Sequence, residues 1–582
     1  MISGILSQQK NNNITYNINI LKLKKKFIRP VLDSEKKILE SAKLKNFIPT
    51  LNCLQKIALG GELEIQLQYT TLDNKAVQQN YPFEILNNRE QGLSFKIKLD
   101  EMLEVRGVKH KESYGLDQAL TIIRGGDFFY TNIDSVTNFK TEFPTKPQYL
   151  NGILNNLKTF QKNPEPCYTR LVIRTNDTDL TYPTDILEFK ENHLKFDIES
   201  WFFQKSLIGL PFLSTKGMSV DLNINGNKFD FYALEPLNSI IIDSVDKISL
   251  NDFKTYSYII RLCFAFLSGK FYKDEVVYIL SIEKNFETVD EFEYVLESPS
   301  IISKNQIINP TFFFQTFKDR SEQEQKDLAM YHSMFDSKIF SVFCEKVFAH
   351  PELLRTIELI VTTGNLSDSI QKGALYSVAI ETITEFLKKQ NQEVFKPIQD
   401  NAISKRFREE QLNLLEKYKN QIDPKGFKIL TNKINNLNSP TNRDKLVIPF
   451  ELYGITLEND DLIILQQRNN YLHGGVPIDS NWKAEINANA LKLHNLLSLL
   501  ILKFIGYSGH YIDVSGWYFM QLNEVQDIFR NVDHNKIKHI LEKLKSSNVD
   551  ELNIAEALEE IQDYNKYLKS IKLTSSIIKI IQ

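Results

Sequence analysis

The front of the chain alternates between apolar and polar positions. In "GELEIQLQY" (61 to 69), Leu63, Ile65, Leu67 and Tyr69 share one face, and Glu and Gln occupy the other. "GLSFKIKLD" (92 to 100) repeats the period with Leu93, Phe95, Ile97 and Leu99. This is the pattern of strands with one buried face. Two hairpins are expected further on. "LEFKENHLKFDI" (187 to 198) turns at Glu191-Asn192, and "VDLNINGNKFDFY" (220 to 232) turns at Asn225-Gly226. The second dipeptide readily supplies the positive φ angles of a two-residue turn. Strands charged on one side predict antiparallel sheets.

A helix then interrupts the pattern. In residues 249 to 271, Phe253, Tyr256, Ile260, Cys263, Phe264 and Leu267 recur at helical spacing. Ser249 or Asn251 is available as N-cap, and Gly269 can end the helix. One more strand, "EVVYILSIE" (275 to 283), precedes a loop around 296 to 318. From about residue 322 the period becomes helical. The spacing predicts helices over 322 to 349, 369 to 391, 404 to 437 with a break at Pro424-Lys425-Gly426, 460 to 473, and 486 to 506. In the second, Leu375, Val378, Ala379, Ile383 and Phe386 form an apolar stripe, with Glu381 and Glu385 opposite. The last is apolar all round, which predicts the buried centre of a bundle. Residues 511 to 582 form a tail, with a strand in "HYIDVSGWYFMQL" followed by charged helices. The fold class expected is α+β, a strand-rich antiparallel region followed by an all-α bundle.

Composition narrows the function classes. The chain has 582 residues, enough for about three or four domains with large cores. A net charge of −3 gives no global basic field, so any nucleic-acid contact must come from a local patch. Cys53, Cys167, Cys263 and Cys344 are widely spaced, which fits buried thiols in a reducing compartment. The start "MISGILSQQKNNN" lacks a signal peptide's apolar core, and "LLSLLILKFIG" (496 to 506) is too short to span a bilayer. A cytoplasmic protein with no membrane partner is expected.

Several chemistries are set aside on motif grounds: no GxxxxGK[ST], no GxGxxG after a strand, no HExxH and no GxSxG. "RGGDFF" (124 to 129) reads as a turn, and His534 with His539 as a surface helix face rather than a metal site. His494, beside a leucine-rich run, reads as a partly buried core histidine with a backbone partner. No metal and no cofactor are expected. "KRFREE" (405 to 410) reads as a solvated helix start, although Arg406 and Arg408 can lend charge to an RNA groove.

The stretch "NDDLIILQQRNNYLHGGVP" (459 to 477) is different. Asp460 or Asp461 can cap its helix, Leu462, Ile463 and Leu465 can bury one side, and Gly474 can terminate it. Arg468, Asn469 and His473 crowd its last turns. The negative end of the helix dipole favours a protonated His473. Asn469 lies four residues before it on the same face, and Arg468 about 140° around. The guanidinium fork suits a phosphate held at that edge.

"RNNYLH" resembles the R-x(4–6)-H signature of HEPN-domain ribonucleases. The surroundings are similar too: a helical bundle, the motif at a helix end, a glycine after it and an apolar helix next. A strand-rich half before such a bundle resembles ApeA-like anti-phage proteins of bacteria. The resemblance implies three segments: a sensor or regulatory region over 1 to 320, a HEPN-like bundle over 321 to 510, and a mostly helical tail over 511 to 582. It also implies a metal-independent endoribonuclease that uses the RNA's own 2′-hydroxyl as nucleophile. His473 would be the acid/base, Arg468 the stabiliser of phosphorane charge, and Asn469 a holder of the imidazole or phosphate. The implied partners are RNA, a second copy of the chain in a homodimer or higher even oligomer, and a phage-derived trigger. The alternative is a non-catalytic HEPN-like dimerisation or binding scaffold.

Overall fold

In the computed structural model, Asn225 and Gly226 lie in the left-handed region at φ 51° and 81°. The flanking strands pair from Ile224 opposite Asn227 outward, giving the two-residue turn that Asn-Gly favours. The structure describes residues 48–59, a set of strands between 62 and 158, 159–191 and 218–308 with short gaps, 334–473, 482–515 and 578–581. "RGGDFF", Gly474, His534 and His539 lie outside the described residues, as does most of the tail.

Two antiparallel sheets make up the first half. The helix α1 (Ile48–Leu59) precedes β1 (Glu62–Thr70), β2 (Ala76–Asn88), β3 (Gly92–Leu99), β4 (Leu120–Ile122), β5 (Val136–Thr141) and β6 (Gln148–Leu154). These six strands form one sheet in the order β4-β1-β2-β3-β6-β5. The second sheet uses β7 (Asn156–Lys158), β8 (Tyr168–Arg174), β9 (Lys190–Glu191), β10 (Met218–Ile224), β11 (Asn227–Leu234) and β12 (Ser239–Ser244). After β13 (Lys270–Phe271), it adds β14 (Glu275–Ser281) and β15 (Glu291–Leu296). Its eight strands run β7-β15-β14-β8-β12-β11-β10-β9. Of the hairpin expected over 187 to 198, the first arm is described: its β9 pairs with β10, Glu191 opposite Met218, while Asn192 of the expected turn and the second arm lie outside the described residues.

The central strands of this sheet are buried on both faces. Leu171, Ile173, Phe229, Phe231, Ile240 and Ile242 point to the main core. The opposite face carries Arg170, which is fully buried and bonds bidentately to Asp243 (2.8 and 2.9 Å) and to Thr50 of α1 (3.0 Å). Tyr232 donates to the same carboxylate at 2.7 Å, and the Phe286 ring lies 4.2 Å from the guanidinium. The Arg170–Asp243 pair is thus hydrogen-bonded on several sides, the condition under which a buried ion pair is tolerated.

The main-core face is covered by α3 (Leu250–Ser268), which follows the single-turn α2 (Pro183–Ile186). Ser249 caps α3 by accepting from Asp252 N–H, and Gly269 ends it at φ 73° with its N–H on Ala265 O. Both were expected from the sequence. Phe264 packs edge-on to Phe231 of the sheet, and Phe266 packs against Phe343 of the next helix, α4 (Ser337–Ala349). One apolar core therefore runs from the sheet through α3 into the bundle. The described elements from Ser337 up to Phe504 are helical, and the packing continues into them.

The bundle comprises α4, α5 (Pro351–Thr363), α6 (Ser369–Gln390), α7 (Asn401–Glu416), α8 (Pro424–Asn435), α9 (Asn442–Leu452), α10 (Asn459–His473) and α11 (Trp482–Phe504). The helix expected over 322 to 349 begins, in its described part, at Ser337, capped by Asp336. Pro424 opens α8 at its first position with Asp423 as cap, so the chain breaks before Pro424-Lys425-Gly426 and the proline starts the new helix. The expected loop around 296 to 318 contains β16 (Ile301–Ile302), paired with β13. On α6 the buried stripe runs through Tyr376, Ala379, Ile380, Ile383, Phe386 and Leu387, while Leu375 and Val378 are half-buried. As expected, α11 is buried along almost all of its described length. Beyond it, β17 (Gly509–Ile512) pairs with β18 (Ile578–Ile581). No described helix is long and apolar enough to cross a membrane.

Candidate functional site

The site is built on α10 and the helix beneath it. Neither Asp460 nor Asp461 is the N-cap of α10. Glu458 holds that position: its carbonyl accepts from Leu462 N–H, and its own N–H donates to Asp461 Oδ2 at 2.9 Å. Asp461 thus acts from the third helical position, as in one half of a capping box. Lys492 of α11 reaches Asp461 at 3.3 Å. The buried side of α10 is Ile464, Leu465 and Tyr471, whereas Ile463 is 48% exposed. Leu462 is half-buried.

On α6, Gly373, Ser377 and Glu381 recur every four residues, which places them in one row facing α10. A Cβ at Gly373 would overlap the Tyr471 ring. The Tyr471 hydroxyl donates to Ile486 O of α11 (3.3 Å), and burial pushes its pKa up to about 12. Ser377 Oγ donates to Gly373 O (2.6 Å) and reaches Arg468 O (3.4 Å). The two helices run antiparallel along this row, since Tyr471 meets residue 373 and Arg468 meets residue 381.

Arg468 is therefore held in place. Its Nη1 donates to Leu465 O at 3.0 Å and its Nη2 to Glu381 Oε1 at 2.9 Å. The side chain is 11% exposed, and its Nε is buried with no hydrogen-bond partner. Asn469 and Asn470 are exposed. His473 is the last residue of α10, five residues and about 7.5 Å of helix rise beyond Arg468. Its side chain lies outside the described residues. Arg406 and Arg408 sit exposed on α7, which packs against α8, and Arg406 pairs with Glu410 at 3.9 Å. The structure thus joins Arg468 and His473 on one helix end, and it carries Arg406 and Arg408 on a separate arm.

His494 departs from expectation. It is 2% exposed, its ring meets Tyr376 edge-on at 5.3 Å, and its Nδ1 has no hydrogen-bond partner. Burial, followed by the nearby Lys372 charge, lowers its pKa to about 4. It is a neutral core imidazole.

Sequence reasoning placed Glu381 on the solvated side of its helix, and it is 45% exposed. It is nonetheless the ion-pair partner of Arg468. The available signal was the four-residue row with two small members, Gly373 and Ser377, which marks where a second helix can approach closely. No group of three His, Cys, Asp or Glu side chains converges among the described residues. No family model, curated protein or solved structure matches the chain.

Proposed function

We propose that the chain is a metal-independent endoribonuclease of the HEPN type acting in bacterial anti-phage defence, with Arg468, Asn469 and His473 as its catalytic set. The observation that carries this reading is the setting of Arg468: 11% exposed and gripped by Glu381 and the Leu465 carbonyl, unlike a solvated helix-end arginine. Two of its five N–H donors are engaged. The reaction forms a bond from the RNA 2′-oxygen to phosphorus and breaks the bond from phosphorus to the 5′-oxygen. One proton leaves the 2′-hydroxyl for a base, and one is delivered to the 5′-oxygen. An imidazole at the end of α10 suits both transfers, and the guanidinium suits the charge on the non-bridging oxygens. A second copy of the chain completes the site, and the strand-rich half restrains it until a trigger arrives.

The second reading is a non-catalytic dimerisation scaffold. It is favoured by the same ion pair, because Glu381 already neutralises Arg468. Incubating the purified full chain with RNA in EDTA separates the two. The ribonuclease yields fragments ending in 2′,3′-cyclic phosphate, and His473→Ala abolishes them while leaving the fold intact. Divalent-metal dependence or 3′-hydroxyl ends would overturn the mechanism, and intact RNA under every condition favours the scaffold.

A further inference from the structure

The hairpin of α7 and α8 differs in charge from the rest of the chain. Residues 400–445 hold ten Lys and Arg against six Asp and Glu, whereas the net charge of the whole chain is −3. All six acids are engaged close by. Asp400 caps α7, Asp423 caps α8, and Asp444 closes the capping box of α9. Glu409, Glu410 and Glu416 pair with Lys405, Arg406 and Lys419. Among the described residues, the side chains of Arg408, Lys417, Lys425, Lys428, Lys433 and Arg443 have no ion-pair or hydrogen-bond partner. The run "KRFREE" is thus the lesser part of this basic surface, because two of its three cations are paired within it.

Three of the unpartnered cations line one face of α8, a helix with no acid between Pro424 and Asn435. The half-buried side of α8, with Phe427, Thr431 and Ile434, lies toward α7. The other side exposes Lys425, Lys428, Ile429, Asn432, Lys433 and Asn436. At about 100° per residue these six fall within an arc of about 140°. From Lys425 to Lys433 the helix rises about 12 Å, the length of three to four stacked nucleotides at about 3.4 Å each.

We propose that this face of α8 holds the phosphate backbone of RNA, away from Arg468, and supplies affinity rather than chemistry. Lysine binds phosphate as a point charge, and asparagine amides can donate to phosphate and sugar oxygens. Other occupants fit less well. Protein interfaces are depleted of lysine and anchored by aromatics, whereas this face is rich in the first and lacks the second. A helix lying on a membrane buries an apolar side in the lipid, and the apolar side of α8 is turned toward α7. The basic face stands on its own geometry; the choice of RNA rests on the ribonuclease reading.

The test uses the full chain and a single-stranded RNA oligonucleotide with 2′-O-methyl groups, which removes the nucleophile and leaves the phosphates. Fluorescence anisotropy at increasing salt gives the affinity and its salt slope. Each phosphate neutralised on a single strand contributes about 0.7 to the slope of log K against log salt. Lys425→Gln, Lys428→Gln and Lys433→Gln combined should therefore flatten the slope by about 2 and weaken binding at least tenfold at about 0.1 M salt. The circular dichroism spectrum should not change. Lys338→Gln, an exposed lysine on α4, should leave both affinity and slope as they are. An unchanged slope in the triple variant, or an equal loss in Lys338→Gln, would overturn the proposal. So would binding to phosphatidylserine vesicles but not to RNA, which reassigns the face to membranes. Displacement of RNA by equimolar polyglutamate would reassign it to acidic proteins. Unmodified RNA separates this proposal from the catalytic one. If RNA binds through α8 and stays intact, the face stands and the ribonuclease falls. If RNA is cut and the triple variant keeps the wild-type KM, the ribonuclease stands and the face falls.

Discussion

At Arg468 two demands meet in one guanidinium. It must stay oriented near a partly dry helix contact, and in the proposed reaction it must also face a phosphate. Glu381 meets the first demand and competes with the second. The pair is worth little to stability, since Glu381 is 45% exposed and solvent screens it. Glu381→Gln keeps an acceptor oxygen while removing the competing charge. It should lower KM for RNA by roughly two- to tenfold, the scale of about 1 kcal/mol for an exposed pair, with kcat changing less. An unchanged KM would mean that Glu381 does not compete for the substrate. Arg468→Lys keeps the charge but loses the fork and its two fixed bonds, so at least tenfold of the cleavage rate should go. A lysine variant as fast as wild type would reduce Arg468 to a general electrostatic contact. His494 makes a separate point about pH. Its folded pKa of about 4 lies below the usual value near 6.5, so the unfolded chain takes up this proton first. The stabilisation it leaves intact above about pH 6.5 falls progressively down to about pH 4. By linkage the loss reaches about 3 kcal/mol. In His494→Phe that part of the acid sensitivity should vanish. Equal urea midpoints at pH 7 and pH 5 in the wild type would show that His494 is not held neutral.

Elements differ in how clearly the chain announces them. The Asn225-Gly226 hairpin and the caps of α3 were legible because each rests on one local requirement, a positive φ or an unpaired N–H. The strands β8 and β12 were not. "YTRLVIR" and "SIIIDS" are buried on both faces, so no polar alternation marks them. The helix α5 begins at Pro351 straight after α4, and α9 carries Pro449 in its interior. Both punctuate the sequence where a break is the ordinary reading. For the site, the helix with Arg468 and His473 at its end was legible, because polar side chains crowd a helix terminus before two glycines. Its partner Glu381 was legible only indirectly: the row Gly373-Ser377-Glu381 marks a close helix approach, but an ion pair 87 residues apart in sequence does not name its partner. The contact between α6 and α10 carries its own test. Gly373 has no room for a methyl group beside Tyr471. Gly373→Ala should therefore cost about 1 to 3 kcal/mol, the usual penalty for overpacking. A variant as stable as wild type in urea would show that α10 shifts freely on α6, and Arg468 could not then be held as described.

Across the whole molecule, the sheet and the bundle share their interior. The helix α3 touches both, with Phe264 on Phe231 of the sheet and Phe266 on Phe343 of α4. Polar ties cross the same boundary: Asn223 N–H donates to Ser341 Oγ (3.2 Å), Asn225 N–H to Glu345 Oε1 (2.8 Å), and Tyr258 Oη to Glu358 Oε1 (2.7 Å). Farther along, Lys346 Nζ donates to Phe504 O (2.6 Å), which joins α4 to α11. Under the proposed restraint, a trigger bound at the sheet would have a packed route to the helices that hold Arg468. Two units with separate cores unfold separately, whereas one core melts as a unit. Phe343→Ala, a substitution within the bundle, removes a fully buried ring and should cost about 3 to 5 kcal/mol. Hydrogen exchange should report that loss equally in the strand 168–174 and in the helix 482–504. Loss of protection in the helix with none in the strand would show that the two halves open independently, and a restraint acting through shared packing would then have no physical basis.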